Sequence, residues 1–262
     1  MKHSITVLLM LISTPLMAIS PEQRGLEIYQ EFDRRDSGFG DVSGKMTMIL
    51  SDRRGRTVQR QMRMKSMEVA NDGDKNLSIF ETPRDVKGTA MLTHTHKTGD
   101  DDQWLYLPRL KRVKRIVSRN KSGAFMGSEF SYEDLSSQEV EKYTYQFLRE
   151  EPCTLDEKTL NCFVIERYPV DKNSGYTRHI AWLDSNHYRM VKVDYFDRRN
   201  EHIKTMTFSG YQQYLDAFWR ADEMVMTNQR SAKTTRLLWS DYQFRRGLSD
   251  RDFDKNSLKR VR

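Results

Sequence analysis

Several side chains in this sequence have the types and spacings that metal or acid–base chemistry requires. His94 and His96 are two residues apart, so in a strand both imidazoles point to the same side, as two zinc ligands would. No third ligand stands at a recognisable spacing, and we predict no metal site. The consecutive carboxylates of Asp100, Asp101 and Asp102 lack the spaced ligands of a calcium loop, which favours a solvated turn.

The remaining acidic pair, Glu133 and Asp134, lies at a predicted helix start, where capping accounts for both carboxylates. The sequence has no nucleophile elbow, no glycine-rich phosphate loop and no His-Glu-x-x-His pattern. We therefore predict that the protein is not an enzyme and has no cofactor. A metal-dependent or hydrolytic enzyme that uses His94 or His96 is the third hypothesis for the function.

Cys153 and Cys162 are the two cysteines of the chain. In an oxidising compartment this spacing predicts a stabilising disulfide across a hairpin or short loop, and two reduced thiols are the alternative. The Cys-x-x-Cys spacing of redox enzymes is absent, which argues against a catalytic role.

A basic run follows the aromatic strand that bears Trp104 and Tyr106. Its five cations lie within seven residues: Arg109, Lys111, Arg112, Lys114 and Arg115. Such a patch suits a lipid phosphate, an anionic membrane surface or an acidic partner, and alternatively it is a solvated face that prevents pairing at a sheet edge. We predict transient membrane or partner contact, and no nucleic-acid binding, because the chain is expected to be exported.

Methionine is frequent in the alternating runs: eleven of the fourteen follow residue 18. Flexible thioethers form adaptable walls in apolar binding sites, although they also fill irregular cores. A strongly curved sheet has more inner surface than one helix covers, which favours an apolar cavity. The candidate cavity and lid residues are Met46, Met48, Leu50, Met62, Met64, Leu77, Ile79, Leu92, Trp104, Tyr106, Phe125, Met126, Phe130, Trp182, Met206 and Phe208.

The elements that position these side chains are one helix and many strands. Ser20 suits an N-cap, Pro21 the first helical position and Gln23 the reciprocal position of a capping box. From residue 42 the apolar period changes to two. Twelve such runs, separated by turn formers, predict a large, strongly curved antiparallel sheet or a barrel, in one domain from residue 19 to 262.

The segment 121–149 interrupts this rhythm. Two glycines flank the apolar cluster of Phe125, Met126 and Phe130, and a capping pattern begins at Ser131. We predict a loop with a short helix that lies across one mouth of the sheet as a lid.

Three strings in this region carry a family resemblance: FETPRDVKGTAML, GDDDQWLYLPRLKRVKRI and KSGAFMGSEFSYEDL. They resemble the exported LolA-like proteins known as outer-membrane lipoprotein-sorting proteins. The resemblance implies a mainly β fold, an incomplete antiparallel barrel around helices, with an apolar cavity for acyl chains. It also implies a partnership with an inner-membrane transporter of the resistance-nodulation-division type.

The first eighteen residues predict a secretory signal, because Lys2 and His3 precede a short apolar run and the segment ends at the small residue Ala18. The run is shorter than the roughly 20 apolar residues of a spanning helix. No cysteine lies near the expected cleavage site, so we expect a soluble, unlipidated periplasmic protein. The formal net charge of +7 suits an approach to anionic surfaces.

These features predict a periplasmic carrier for lipid or the acyl chains of a lipoprotein. In this hypothesis the cargo enters the inner face of the sheet, and segment 121–135 and the first helix are displaced on loading. A non-carrier accessory or sensor subunit that docks on a membrane transporter is the alternative.

Overall fold

The computed structural model describes residues 19–260 and contains one α-helix and one sheet. Helix α1 spans Pro21–Asp36. The strands are β1 (Asp41–Ser51), β2 (Thr57–Met67), β3 (Lys75–Thr82), β4 (Ala90–His94), β5 (Asp102–Leu107), β6 (Arg112–Ile116), β7 (Tyr143–Leu155), β8 (Lys158–Pro169), β9 (Tyr176–Asp184), β10 (Met190–Asp197), β11 (His202–Tyr214), β12 (Phe218–Asn228) and β13 (Thr234–Phe244). The predicted signal peptide lies outside the described residues.

The start of α1 agrees with the sequence in most respects. Pro21 occupies the first turn, and the Ser20 hydroxyl accepts a hydrogen bond of 3.2 Å from the Gln23 backbone N–H. The reciprocal half of the predicted capping box is wrong. The Gln23 side chain instead donates to the Glu27 carboxylate one turn further on, at 2.8 Å.

All thirteen strands form one antiparallel sheet in the order β6-β5-β4-β3-β2-β1-β13-β12-β11-β10-β9-β8-β7. The first and last strands of the chain pair with each other in the middle of the sheet. Strands β6 and β7 form its two edges and do not pair, so the barrel is incomplete. The prediction of an unclosed antiparallel barrel with an N-terminal helix is confirmed.

One face of this sheet is an inner face, because side chains from nearly every strand meet there in a single apolar core together with α1. Met46, Met48 and Met62 enter this core from β1 and β2, while Ile165 and Leu183 enter it from β8 and β9. Alternate residues of a strand point to opposite faces. The sheet therefore bends around its own apolar side.

The outer face of β3, β4 and β5 carries a second apolar cluster. Two 3₁₀ turns near the C-terminus cover it, Asp250–Phe253 and Leu258–Arg260. Phe253 is buried there, and a 2.6 Å ion pair between Lys65 and Asp252 ties the first turn to β2.

Strand β7 was not predicted from the sequence. Its first part lies in the segment read as a loop with a helix, but Tyr143, Tyr145 and Phe147 alternate with polar residues and continue the strand rhythm. The predicted short helix is reduced to 3₁₀ turns, such as Glu133–Leu135. The predicted disulfide is confirmed: Cys153 and Cys162 are joined across the β7–β8 hairpin.

Helix α1 packs against β7 on the inner face at close range. A Cβ atom added at Gly25 would lie 2.9 Å from the backbone nitrogen of Phe147, so only glycine permits this approach. The rings of Tyr29 and Tyr145 lie 4.5 Å apart beside this contact. Within residues 19–260, no helix has the length and apolar character needed to cross a membrane.

Candidate ligand cavity and its plug

An apolar cleft of about 300 Å³ opens between the C-terminal half of α1 and strands β1, β2 and β10 to β13. Thioether and aromatic side chains line its walls, among them Met64, Met190, Phe208, Met224 and Trp239. The indole N–H of Trp239 is buried and has no hydrogen-bond partner among the described residues. A cleft of this chemistry accepts an apolar chain and offers it one hydrogen-bond donor.

The rim of this cleft carries three arginines that neighbouring groups hold in place. Arg189 forms a 2.7 Å ion pair with the fully buried Asp184. Arg220 pairs with Asp36, and Arg35 lies over the ring of Tyr188 at 4.2 Å. The three guanidinium groups therefore form a positively charged rim around the apolar cleft, and their neighbours hold them in position.

Two carboxyl groups near the cleft are protonated far more readily than usual. Burial, followed by the nearby Glu139 and Glu68 carboxylates, raises the pKa of Asp74 to about 7. Burial, followed by the nearby Asp33 carboxylate, raises the pKa of Glu139 to about 7. The two side chains flank Gly73, where an added Cβ would lie 2.9 Å from the Glu139 carboxylate.

Because of this raised pKa, we expect Asp74→Asn to increase thermal stability at pH 8 and to change it little at pH 5. Between the ordinary carboxyl pKa of about 4 and the folded value, the folded protein binds more protons than the unfolded chain, so stability falls as pH rises. Asparagine removes that loss. Unfolding temperatures at both pH values test this, with the exposed Asp85→Asn as control; an equal shift of the Asp74→Asn variant at both pH values would contradict it.

The segment 117–142, which joins β6 to β7, enters the inner core and is called the plug below. Phe125 and Phe130 of the plug are each only 1% exposed. Phe125 packs against Phe80 of β3, with ring centres 5.8 Å apart, and against Tyr132 of the plug. The predicted lid residues therefore lie inside the molecule rather than over its opening.

Polar contacts tie the plug to one end of the sheet. Arg60 donates to the Met126 carbonyl at 2.7 Å, and the Glu129 N–H donates to the Thr235 hydroxyl at 3.0 Å. The Asn228 amide donates to the Glu129 carboxylate at 2.7 Å. The sheet residues in these contacts, Arg60, Thr235 and Asn228, lie near the start of β2, the start of β13 and the end of β12. The plug therefore closes the end of the incomplete barrel, called the half-barrel below, where these strands meet.

The strongest of these contacts is a buried ion pair. The Lys204 ammonium and the Asp134 carboxylate are 2.6 Å apart, and their side chains are 7% and 2% exposed. Asp134 also accepts a hydrogen bond from the Tyr176 hydroxyl and another from the Ser131 backbone N–H. The sequence suggested that local capping accounts for Asp134. The structure shows that Asp134 also anchors the plug to β11.

A second buried cation was missed from the sequence. Arg167 is 2% exposed, donates to the His179 ring and the Gln138 side chain at 3.1 Å each, and lies 4.5 Å from the ring centre of Tyr143. Burial, and then the charge of Arg167, hold the pKa of His179 well below its ordinary value, so this imidazole is neutral. The sequence did contain a signal for this buried cation, because Arg167 is two residues from Ile165 and therefore lies on the same, inward face of β8.

A larger, polar gap of about 570 Å³ separates the edge regions around β6 and β7. Lys142 pairs with Asp101 here, and a 2.5 Å ion pair joins Lys121 to Asp171. Asp102 pairs with Arg115 at 2.5 Å. Two acids of the predicted solvated turn are therefore engaged in ion pairs.

Ten of the sixteen predicted cavity and lid residues lie in or against the inner core: Met46, Met48, Leu50, Met62, Met64, Phe125, Met126, Phe130, Met206 and Phe208. The other six lie outside it. Leu77, Ile79, Leu92, Trp104 and Tyr106 belong to the outer cluster under the C-terminal turns, and Trp182 packs near the disulfide. Both faces of these strands are apolar, so alternation could not indicate which face is the inner one.

The two histidines are held by separate neighbours. His94 Nε2 lies 2.8 Å from the Phe253 carbonyl, and His96 Nδ1 lies 2.8 Å from the Asp72 carboxylate. Within residues 19–260, no three His, Cys, Asp or Glu side chains are grouped to hold a metal ion. The basic patch, Arg109, Lys111, Arg112, Lys114 and Arg115, is exposed along the β5–β6 turn and edge strand β6.

The protein is thus a β-protein built as an open half-barrel with a plugged apolar interior. Its candidate site lies on the inner face of the sheet and not on a loop. A protein-family model described as an uncharacterized "-like" protein matches residues 72–260. No curated protein sequence gives a significant match.

Solved structures match over nearly the whole chain. An outer membrane lipoprotein-sorting protein domain from Vibrio parahaemolyticus is 55% identical, covers 91% of this chain and 99% of its own, and superposes with a TM-score of 0.87. A DUF1329 family protein from Desulfovibrio piger is 27% identical, with the same coverage and a TM-score of 0.84. A LolA superfamily protein from Nitrosomonas europaea, 17% identical with a TM-score of 0.70 over 91% and 99% of the chains, shares the fold. The chain belongs to the LolA-like family of outer-membrane lipoprotein-sorting proteins.

Proposed function

We propose that this protein is a periplasmic carrier that binds lipid, or the acyl chains of a lipoprotein, on the inner face of its half-barrel and assists their transport toward the outer membrane. The observation that carries the proposal is the apolar cleft lined by Met64, Phe208 and Met224, side chains that also pack against the buried core. Acyl binding there is favourable because each buried methylene contributes about 0.8 kcal/mol.

The size of the cleft indicates that loading requires movement. Ligand pockets typically measure roughly 300–1,000 Å³, so a cleft of about 300 Å³ holds only part of a long acyl chain. Gly127 at the tip of the plug is exposed in the left-handed conformation, and the Asp134–Lys204 ion pair anchors the plug further along the chain. Displacement of α1, which borders the cleft through Phe32 and Arg35, would enlarge the cleft, and displacement of the plug would open the adjoining core.

The basic patch is our candidate for contact with a membrane surface and with a partner embedded in it, and an inner-membrane transporter of the resistance-nodulation-division type is the partner that the family suggests. An accessory or sensor subunit would use the same patch without carrying cargo. The two functions differ in one respect: charge reversal at Arg109 and Lys111 would abolish partner capture in both, but only a carrier retains bound lipid. We propose carriage rather than catalysis, since the histidines and acids weighed for an enzyme are held by structural neighbours.

Titration with the fluorescent fatty acid cis-parinaric acid tests the carrier function. We expect saturable binding that palmitate displaces and that salt affects little, because the contact is apolar. Absence of saturable binding to delipidated, folded protein would reject the carrier function and favour the accessory subunit.

A further inference from the structure

The antiparallel topology sorts the connections between strands onto two ends of the half-barrel. Neighbouring strands run in opposite directions, so the chain segments that follow β1, β3, β5, β10 and β12 lie in a row along one end of the sheet. The segment that follows β8 borders the β6–β7 gap together with Asp100 and Asp101 from the opposite end and is not part of this row. The five connections of the row are residues 52–56, 83–89, 108–111, 198–201 and 229–233, and they form what is called the basic end below.

The two ends have opposite charge. The five connections of the basic end contain eleven Lys or Arg and three Asp or Glu, and all eleven cations are exposed. The connections at the opposite end, residues 37–40, 68–74, 95–101, 156–157, 185–189, 215–217 and 245–249, contain four Lys or Arg and eight Asp or Glu. Summed charge of this kind orients a protein in front of a charged surface.

One exposed aliphatic side chain stands among these cations. Leu110 is 68% exposed, and the turn Pro108–Leu110 presents it between Arg109 and Lys111. An acidic protein surface would account for the cations alone, whereas a lipid interface accounts for both the cations and the exposed leucine.

We propose that the basic end is a docking surface for an anionic lipid bilayer, with Leu110 at the headgroup level and the surrounding arginines and lysines against lipid phosphates. The plug is tied to strand ends on this same side through Arg60 and Thr235. Docking therefore places the tip of the plug against the membrane, while the cleft beside Asp74 and Arg189 opens at the opposite end. The docking itself does not depend on cargo binding, while its use for cargo exchange rests on the proposed carrier function.

Co-sedimentation with vesicles tests this surface. We expect binding to phosphatidylcholine vesicles that contain phosphatidylglycerol, strong weakening by salt, and little binding to pure phosphatidylcholine. The variant Arg53→Glu/Arg54→Glu, and separately Arg109→Glu/Lys111→Glu, should each bind at least about tenfold more weakly, given the usual contribution of a cation at a membrane surface. Leu110→Ser should weaken binding by a smaller factor that persists at high salt.

The matched control is Lys158→Glu/Arg246→Glu, which makes the same charge change at the opposite end and should bind like the unaltered protein. Equal loss in this control, or equal binding to neutral vesicles, would overturn the proposal. Failure to bind any vesicle, together with salt-sensitive capture by an acidic periplasmic domain, would overturn it in favour of a protein partner. Titration with cis-parinaric acid distinguishes failure of the docking proposal from failure of the carrier proposal. The surface variants should bind the fatty acid normally, whether or not they bind vesicles.

Discussion

Asp134→Ala is expected to lower the free energy of unfolding by about 3–5 kcal/mol, the usual cost of breaking a buried ion pair from one side. The reason is that Lys204 is 6% exposed and would keep its charge with only the Glu129 carbonyl, 3.2 Å away, as a remaining oxygen partner among the described contacts. The Tyr176 hydroxyl would lose its carboxylate acceptor as well. Guanidinium unfolding followed by fluorescence measures this loss.

Two further variants separate the ion pair from general effects of substitution. Lys45→Ala breaks a pair with Asp241 in which both side chains are more than half exposed, and should leave the stability almost unchanged. The double variant Asp134→Leu/Lys204→Met removes both charges and should recover much of the stability, since no charge is left buried alone. Asp134→Ala with a stability close to that of the Lys45→Ala variant would show that the pair does not anchor the plug.

Met224→Glu is expected to weaken fatty-acid binding at least about a hundredfold. A carboxylate at this position would stand in the wall of the apolar cleft. Bound cargo would then have to desolvate that carboxylate, at a cost of several kcal/mol, and roughly 3 kcal/mol corresponds to a hundredfold change in affinity. Titration with cis-parinaric acid measures the effect.

The neighbouring residue provides the control. Val225 follows Met224 on β12 and therefore points to the outer face, between Thr207 and Arg236 on the adjacent strands. Val225→Glu introduces the same charge without entering the cleft, and should bind the fatty acid normally. Equal loss in the two variants would mean that binding does not take place on the inner face.

Local sequence patterns were sufficient to predict the helix, most of the strands and the disulfide. The Ser20–Pro21 start of α1 and the alternation of residues such as Met46 and Met48 reflect preferences within a few residues. Twelve of the thirteen strands follow from that alternation. The disulfide also lies within one hairpin, so its spacing of nine positions carried enough information.

The site depends on contacts that no local pattern encodes. Asp134 and Lys204 are 70 residues apart in the chain, and Arg60 reaches Met126 across 66. The C-terminal turns bury Leu92 on the outer face, and a sequence that is apolar on both faces gives no indication that this happens. Strand β7 was missed because the plug that precedes it has no regular period.

The central claim is that the inner face of the half-barrel carries lipid. Native mass spectrometry of protein purified from the periplasm, compared with the same protein after organic extraction, tests it most directly. We expect a mass excess equal to one lipid or acyl chain in the purified protein, absent after extraction and strongly reduced in Met224→Glu but not in Val225→Glu. Purified protein that consistently shows the mass of the bare polypeptide, under conditions that preserve a known lipid complex, would contradict the claim.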